Sequence, residues 1–264
     1  MTTTPILSNP DRLAELMSLI GGADSVELKL TVPDHRLRSA ADALDLDPLT
    51  AEIRQVVFFD TPALDLNQAG LVVRARRIQG GAGDTVVKLR PVIPNELDPQ
   101  LRETGAIGVE VDAMPGGFVC SASMKGKATA KTVRKVAKGG AELKNLLSGN
   151  QKRFFHTHAP DDLKLSQLSV LGPINILKLK FGPAELGRKM VAELWFYPDG
   201  SRTLELSTKC ATNEAFQVAV EARAYLSERG IDLEGEQATK TKTALEFFAA
   251  GLSEEKAGST PPSV

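Results

Sequence analysis

The sequence predicts a strand-dominated α+β protein, and three observations carry that prediction. Apolar and polar residues alternate with period two in most segments from residue 25 onward, the pattern of half-buried strands. Helical spacing is confined to a few short stretches, most of them near the ends or after glycine breaks. At 264 residues with 42% hydrophobic content, the chain buries a real core at a length that all-β barrels reach as one domain.

Residues 11–20 have helical spacing and are closed by Gly21 and Gly22. Residues 25–31 then alternate, with Val26, Leu28 and Leu30 on one face and Glu27 and Lys29 on the other. A helix is predicted over 36–44, followed by strands over 54–60, 71–78 and 85–92, the last two joined by a turn over 79–84. The proline-bearing stretch 93–105 reads as a loop, and 107–113 and 118–124 as a strand pair. A basic helix is predicted over 125–138, and a second helix through Leu143, Leu146 and Leu147. Strands over 175–181, 189–197 and 201–209 follow, the last two around the Pro198-Asp199-Gly200 turn. Helices from Asn213 to about Arg229 and over 243–250 complete the order. The expected organisation is an N-terminal segment (1–23), one barrel domain (24–250) with a basic helical insertion around 121–153, and a disordered tail (251–264).

A net charge of −1 provides no overall positive field for a nucleic-acid backbone, which argues against a general nucleic-acid binder. Cys120 and Cys210 stand far apart, in no metal-like spacing, and read as small buried hydrophobes in a reducing cytosol. No apolar run approaches bilayer length, and residues 1–5 carry no signal-peptide pattern, so a cytoplasmic protein is expected.

Charged residues recur two apart in strand after strand: Glu27 and Lys29, Arg74 and Arg76, Lys88 and Arg90, Glu110 and Asp112, Lys178 and Lys180. Glu193 and the row Glu205, Ser207, Lys209 continue the pattern. Any one such strand is explained by a solvated face over an apolar one. Together the rows are segregated by sign. The 74–90 hairpin presents Arg and Lys, whereas Glu110 with Asp112 and Glu193 with Glu205 supply carboxylates. Solvent faces would mix signs to limit cross-strand repulsion, so this segregation suits a polyanion and a divalent cation.

These residues resemble the motifs of the CYTH superfamily, the triphosphate tunnel metalloenzymes. Val26-Glu27-Leu28-Lys29 is similar to the end of the opening Glu-x-Glu-x-Lys strand. Phe58-Phe59-Asp60-Thr61-Pro62, then Leu71-Val72-Val73-Arg74-Ala75-Arg76, look like the aromatic-Asp-Thr and Leu-x-x-Arg-x-Arg hairpin. Val86 to Pro91 resembles the following lysine strand, Val109-Glu110-Val111-Asp112 the central acidic strand, and Leu204-Glu205-Leu206 with Thr239-Lys240 the closing motifs.

The resemblance implies an eight-stranded antiparallel β-barrel, a tunnel with helices packed outside. It also implies a polyphosphate substrate held by basic side chains, and Mg2+ or Mn2+ held by carboxylates. Lys29, Arg74, Arg76, Lys88 and Lys240 are then phosphate ligands, with Lys88 the candidate catalytic lysine. Arg90, Lys178, Lys180 and Lys209 join the substrate set on strand parity. Glu27, Glu110, Asp112 and Glu205 are implied as metal-side groups, with Glu193 a further candidate. Ser25 and Thr203 stand where the family pattern has Glu, and Asp112 is shorter than Glu, which weakens the implied metal site more than the fold.

The activity implied is metal-dependent hydrolysis of a triphosphate, inorganic tripolyphosphate or a nucleoside triphosphate. A class IV-type adenylate cyclase and a non-catalytic polyphosphate or nucleotide module are the alternatives. The Gly80-Gly81-Ala82-Gly83 stretch lacks P-loop spacing and reads as a hairpin turn. His156 and His158 have no third metal-ligand motif in reach and read as surface histidines.

Overall fold

The computed structural model describes residues 10–103, 105–231, 241 and 243–250. In chain order the elements are α1 (Pro10–Gly22), β1 (Ser25–Val32), α2 (Leu37–Ala43), β2 (Glu52–Asp60), α3 (Asp65–Gln68), β3 (Leu71–Ile78), β4 (Ala82–Leu89) and α4 (Pro99–Glu103). There follow β5 (Ile107–Met114), β6 (Gly117–Thr129), α5 (Ala130–Ala137), α6 (Gly149–His158), β7 (Ser169–Phe181), β8 (Met190–Phe196), β9 (Arg202–Cys210) and α7 (Ala215–Glu228). Residues 243–250 are helical, as expected. Among the described residues, no helix is long and apolar enough to cross a membrane.

The strands close into a barrel in the order β1-β5-β6-β4-β3-β2-β7-β8-β9. That is nine strands rather than the eight implied by the family resemblance. One neighbouring pair also departs from the antiparallel expectation, because β1 runs parallel to β5, with Ser25 opposite Glu110 and Glu27 opposite Asp112. Parallel neighbours need a long connection rather than a hairpin. Here three further strands lie between the two in sequence.

Within the described residues the chain folds into two compact units, the first drawing on residues 10–53, 90–123 and 176–231. Its apolar core is built by the alternation read from the sequence. Leu30 and Val32 of β1, Met190 and Ala192 of β8, and Leu204 and Leu206 of β9 pack with Leu37 and Ala40 of α2 and with Tyr225 and Leu226 of α7. Each fully buried aliphatic side chain contributes about 1.5–3 kcal/mol. Period two leaves Glu27 and Lys29 on the opposite face of β1. The antiparallel β1–β9 register sets Glu27 against Lys209, Lys29 against Ser207 and Thr31 against Glu205. The expected loop over 93–105 contains α4, whose start is marked by the Asp98 side chain accepting from the Gln100 N–H at 2.9 Å.

The second unit draws on residues 54–89 and 124–175, with 241 and 243–250. Gly80 and Gly81 take φ values of 85° and 98°. With Gln79 these two glycines make the whole turn, and β4 begins at Ala82 rather than at residue 85. The basic helix predicted over 125–138 is strand as far as Thr129, where β6 ends and the Thr129 hydroxyl caps the Thr132 N–H at 3.2 Å. Leu143, Leu146 and Leu147 are buried, but only as far as a 3-10 turn over Leu143–Asn145. The helix itself, α6, starts at Gly149 behind a capping box of Ser148 and Gln151. Gln151 then docks α6, accepting from Thr85 Oγ1 at 3.1 Å and donating to the Met124 carbonyl at 3.0 Å.

Candidate functional site

In the first unit, β1 is flanked by β5 and β9, and these three strands bring the carboxylates together. Oxygen atoms of Glu27, Glu110 and Asp112 lie within 4.8 Å of one another. Three like charges at that spacing repel unless cations intervene. Two lysines do so. Lys29 Nζ bridges Glu27 Oε2 at 3.0 Å and Asp112 Oδ1 at 2.8 Å, while Lys209 Nζ contacts Glu110 Oε2. Arg90 reaches Asp112 Oδ2 at 4.0 Å, and the Ser25 hydroxyl donates to Glu110 Oε2 at 3.4 Å. The Asp112 side chain is 1% exposed, so its charge depends on these partners.

The electrostatics follow from that arrangement. Burial alone would push the Glu27 carboxyl up, but the Lys29 ammonium and the Ser207 hydroxyl outweigh burial and the repulsion of Asp112. Glu27 is held below its usual range and is ionised. Burial likewise pulls Lys29 down, but Asp112, Glu27 and Glu205 push it well above the ordinary lysine value. Glu27 thus stands as a carboxylate and Lys29 as an ammonium group at neutral pH.

A second charged group in the same unit lies on β7, β8 and β9. Glu193 sits directly opposite Glu205 in the β8–β9 ladder, a like-charge pair that is unfavourable by itself. Lys178 meets Glu193 at 3.3 Å, and Trp195 Nε1 donates to Glu193 Oε2 at 3.4 Å from a buried ring. Lys180, placed with Lys178 by parity, is exposed.

In the second unit, Arg74 and Arg76 on β3 and Lys88 on β4 are half-buried and share one face of the hairpin, opposite the buried Leu71, Val73 and Ala75. The ladder pairs Arg74 with Val86, Val72 with Lys88 and Arg76 with Asp84. The hairpin face is therefore not all basic, which corrects the sequence expectation. Asp84 binds Arg76 in a fork, Nε to Oδ1 at 2.9 Å and Nη2 to Oδ2 at 2.7 Å. Sequence reading assigned Asp84 to the turn, although its even spacing from Val86 and Lys88 already placed it on their face.

The Asp60-Thr61 motif serves the backbone. Asp60 Oδ1 accepts from the N–H of Thr61 at 2.7 Å and of Leu66 at 2.9 Å, and Oδ2 accepts from Asn67 at 2.9 Å. The carboxylate thus fixes the turn from β2 into α3, whose preceding residue Leu64 has φ 60°. His156 and His158 lie in the last turn of α6. Lys240, with Thr239, lies outside the described residues.

No protein-family model matches the chain, and no curated protein matches it in sequence. Solved structures do. HpAC1 from Hippeastrum, which bears an adenylyl cyclase name and shows a dominant triphosphatase activity, aligns with a TM-score of 0.61 at 19% identity, over 85% of this chain and 95% of its own. A protein from Bacillus halodurans with an adenylate cyclase name aligns with a TM-score of 0.58 at 12% identity, over 83% and 97%. At these identities the likeness is one of fold. With its closed strand order, the chain shares the fold of these solved structures.

Proposed function

We propose that this chain hydrolyses a triphosphate, inorganic tripolyphosphate or a nucleoside triphosphate, with the help of Mg2+ or Mn2+. The observation that carries the reading is the trio Glu27, Glu110 and Asp112, with oxygens within 4.8 Å of one another. Oxygen donors of this kind suit a hard divalent cation, and magnesium commonly needs only one or two protein carboxylates. Such an ion, held by these three residues, would neutralise phosphate charge and orient a water. Glu193 and Glu205 are reserve acidic groups in the same proposal.

The basic side chains bind and steady the substrate. Lys29, Arg90, Lys178, Lys180 and Lys209 in the first unit, and Arg74, Arg76 and Lys88 in the second, are assigned as phosphate ligands, with Lys240 added on motif alone. Lys88 has the catalytic part, absorbing charge that develops as the anhydride bond breaks. A water oxygen forms the new bond to the terminal phosphorus, the P–O–P bridge breaks, and the water's proton passes to solvent. Tripolyphosphate thereby yields orthophosphate and pyrophosphate. Residues 24–250 act as one catalytic domain in this reading, and the buried free thiols of Cys120 and Cys210 accord with the reducing cytoplasm.

A second reading, a non-catalytic polyphosphate or nucleotide module, is favoured by one observation. Lys29, Lys209 and Arg90 set three positive charges against the three carboxylates of the trio, so the charges are balanced without a metal. A product screen separates the readings, using tripolyphosphate, ATP and thiamine triphosphate with magnesium or manganese. Orthophosphate supports hydrolysis, cyclic AMP would replace it with a cyclase, and binding without product would leave the module.

A further inference from the structure

Between Ala113 and Ala141 the chain carries six cations and no acid. Lys125 and Lys127 are two apart on β6 and therefore share one face of the strand. Lys131, Arg134, Lys135 and Lys138 follow at helical spacing i, i+3, i+4, i+7, one stripe along α5 and its C-terminal cap, opposite the buried Val133 and Val136. All six are exposed. Their second unit also contains Glu142, but its carboxylate pairs with Lys144 at 2.7 Å. Like charges at i and i+4, as in Lys131 with Lys135 and Arg134 with Lys138, destabilise a helix. A solvated face would ordinarily relieve this with an interspersed Glu, and none is present.

Three features narrow the partner. The phenyl rings of the next helix, Phe154 and Phe155, are fully buried, so neither offers a surface on which a nucleobase stacks. The large exposed hydrophobics among the described residues are Met17, Leu49, Ile53, Ile93, Phe216 and Val220, all outside this segment, so the face offers no anchor for a protein partner. Five of the six cations are lysines, compact point charges rather than the planar forks that read bases. The stripe from Lys131 to Lys138 runs about 10 Å at the helical rise per residue. Its chemistry is that of a line of positive charge with nothing else to recognise.

We propose that the exposed stripe of α5, from Lys131 to Lys138, docks a linear inorganic polyphosphate chain. The inference stands apart from the hydrolase reading, because docking is measured without turnover. The test uses the full-length protein in EDTA, titrated with long-chain sodium polyphosphate, with tripolyphosphate and with mixed-sequence single-stranded RNA. The comparison variant combines Lys131→Gln, Lys135→Gln and Lys138→Gln, none of which belongs to the proposed catalytic or binding residues. Loss of three exposed ion contacts should weaken long-chain polyphosphate binding about tenfold. Tripolyphosphate affinity and the thermal midpoint should stay as in the parent protein. Equal long-chain affinity in parent and variant would overturn the proposal, as would RNA binding as tight as polyphosphate.

Discussion

Two residue pairs decide how the charged groups respond to a ligand. Lys29 holds the buried Asp112 at 2.8 Å, and removing one partner of a buried pair costs about 3–5 kcal/mol. Arg90 at 4.0 Å remains, so Lys29→Met should destabilise near the lower end of that range. A cation that takes the place of the ammonium should then recover stability, because ligands of the native state shift the folding equilibrium. Thermal unfolding with a magnesium series should show a larger upward shift for Lys29→Met than for the parent. Identical metal responses would remove the trio from consideration as a cation site. Arg76 poses the opposite case, since its fork to Asp84 must yield before the guanidinium binds phosphate. Arg76→Ala should weaken tripolyphosphate binding by about 1.5–3 kcal/mol, and Asp84→Asn should strengthen it by up to about 1 kcal/mol. Calorimetric titration reads both, and weakening by Asp84→Asn would show that the fork is structural.

At the scale of elements, α6 is held to the hairpin through Gln151, and that contact needs Gly126. A Cβ at this position would lie 2.6 Å from Thr85 Oγ1 and press against the Gln151 side chain. Gly126→Ala should therefore cost about 1–3 kcal/mol, the range for overpacking a filled interior, seen as a lower denaturant midpoint with unchanged slope. An unshifted midpoint would mean that α6 slides without loss. This contact was not legible in sequence, because Gly126 sits in a lysine-rich stretch whose composition resembles a helix as much as a strand. The boundary is set by a hydroxyl cap at Thr129 and by the Gln151 side chain, 27 residues from its partner Met124, neither of which periodicity registers. The β1, β3, β8 and β9 strands were legible because one face of each is apolar core, which fixes parity along the strand.

At the scale of the molecule, period-two alternation predicted the strand content, while the count of nine and the parallel β1–β5 pair depend on long-range pairing that local pattern does not encode. The residues of the trio were legible for a related reason. Glu27 shares a strand with Lys29, and Glu110 shares one with Asp112, so parity alone put each pair on one face. Their convergence was supplied by register, which sets Ser25 against Glu110 and Glu27 against Asp112. Register also places Ser25 beside Glu110, where its hydroxyl donates at 3.4 Å in the position that the family pattern gives to Glu. A carboxylate there would add a further oxygen donor to the trio without touching the core. The most direct test is orthophosphate release from tripolyphosphate as a function of magnesium and manganese, for the parent protein and for Ser25→Glu. Metal-dependent release by the parent, with a lower metal concentration at half-maximal rate in Ser25→Glu, is the predicted result; no release by either protein at any metal concentration would contradict it.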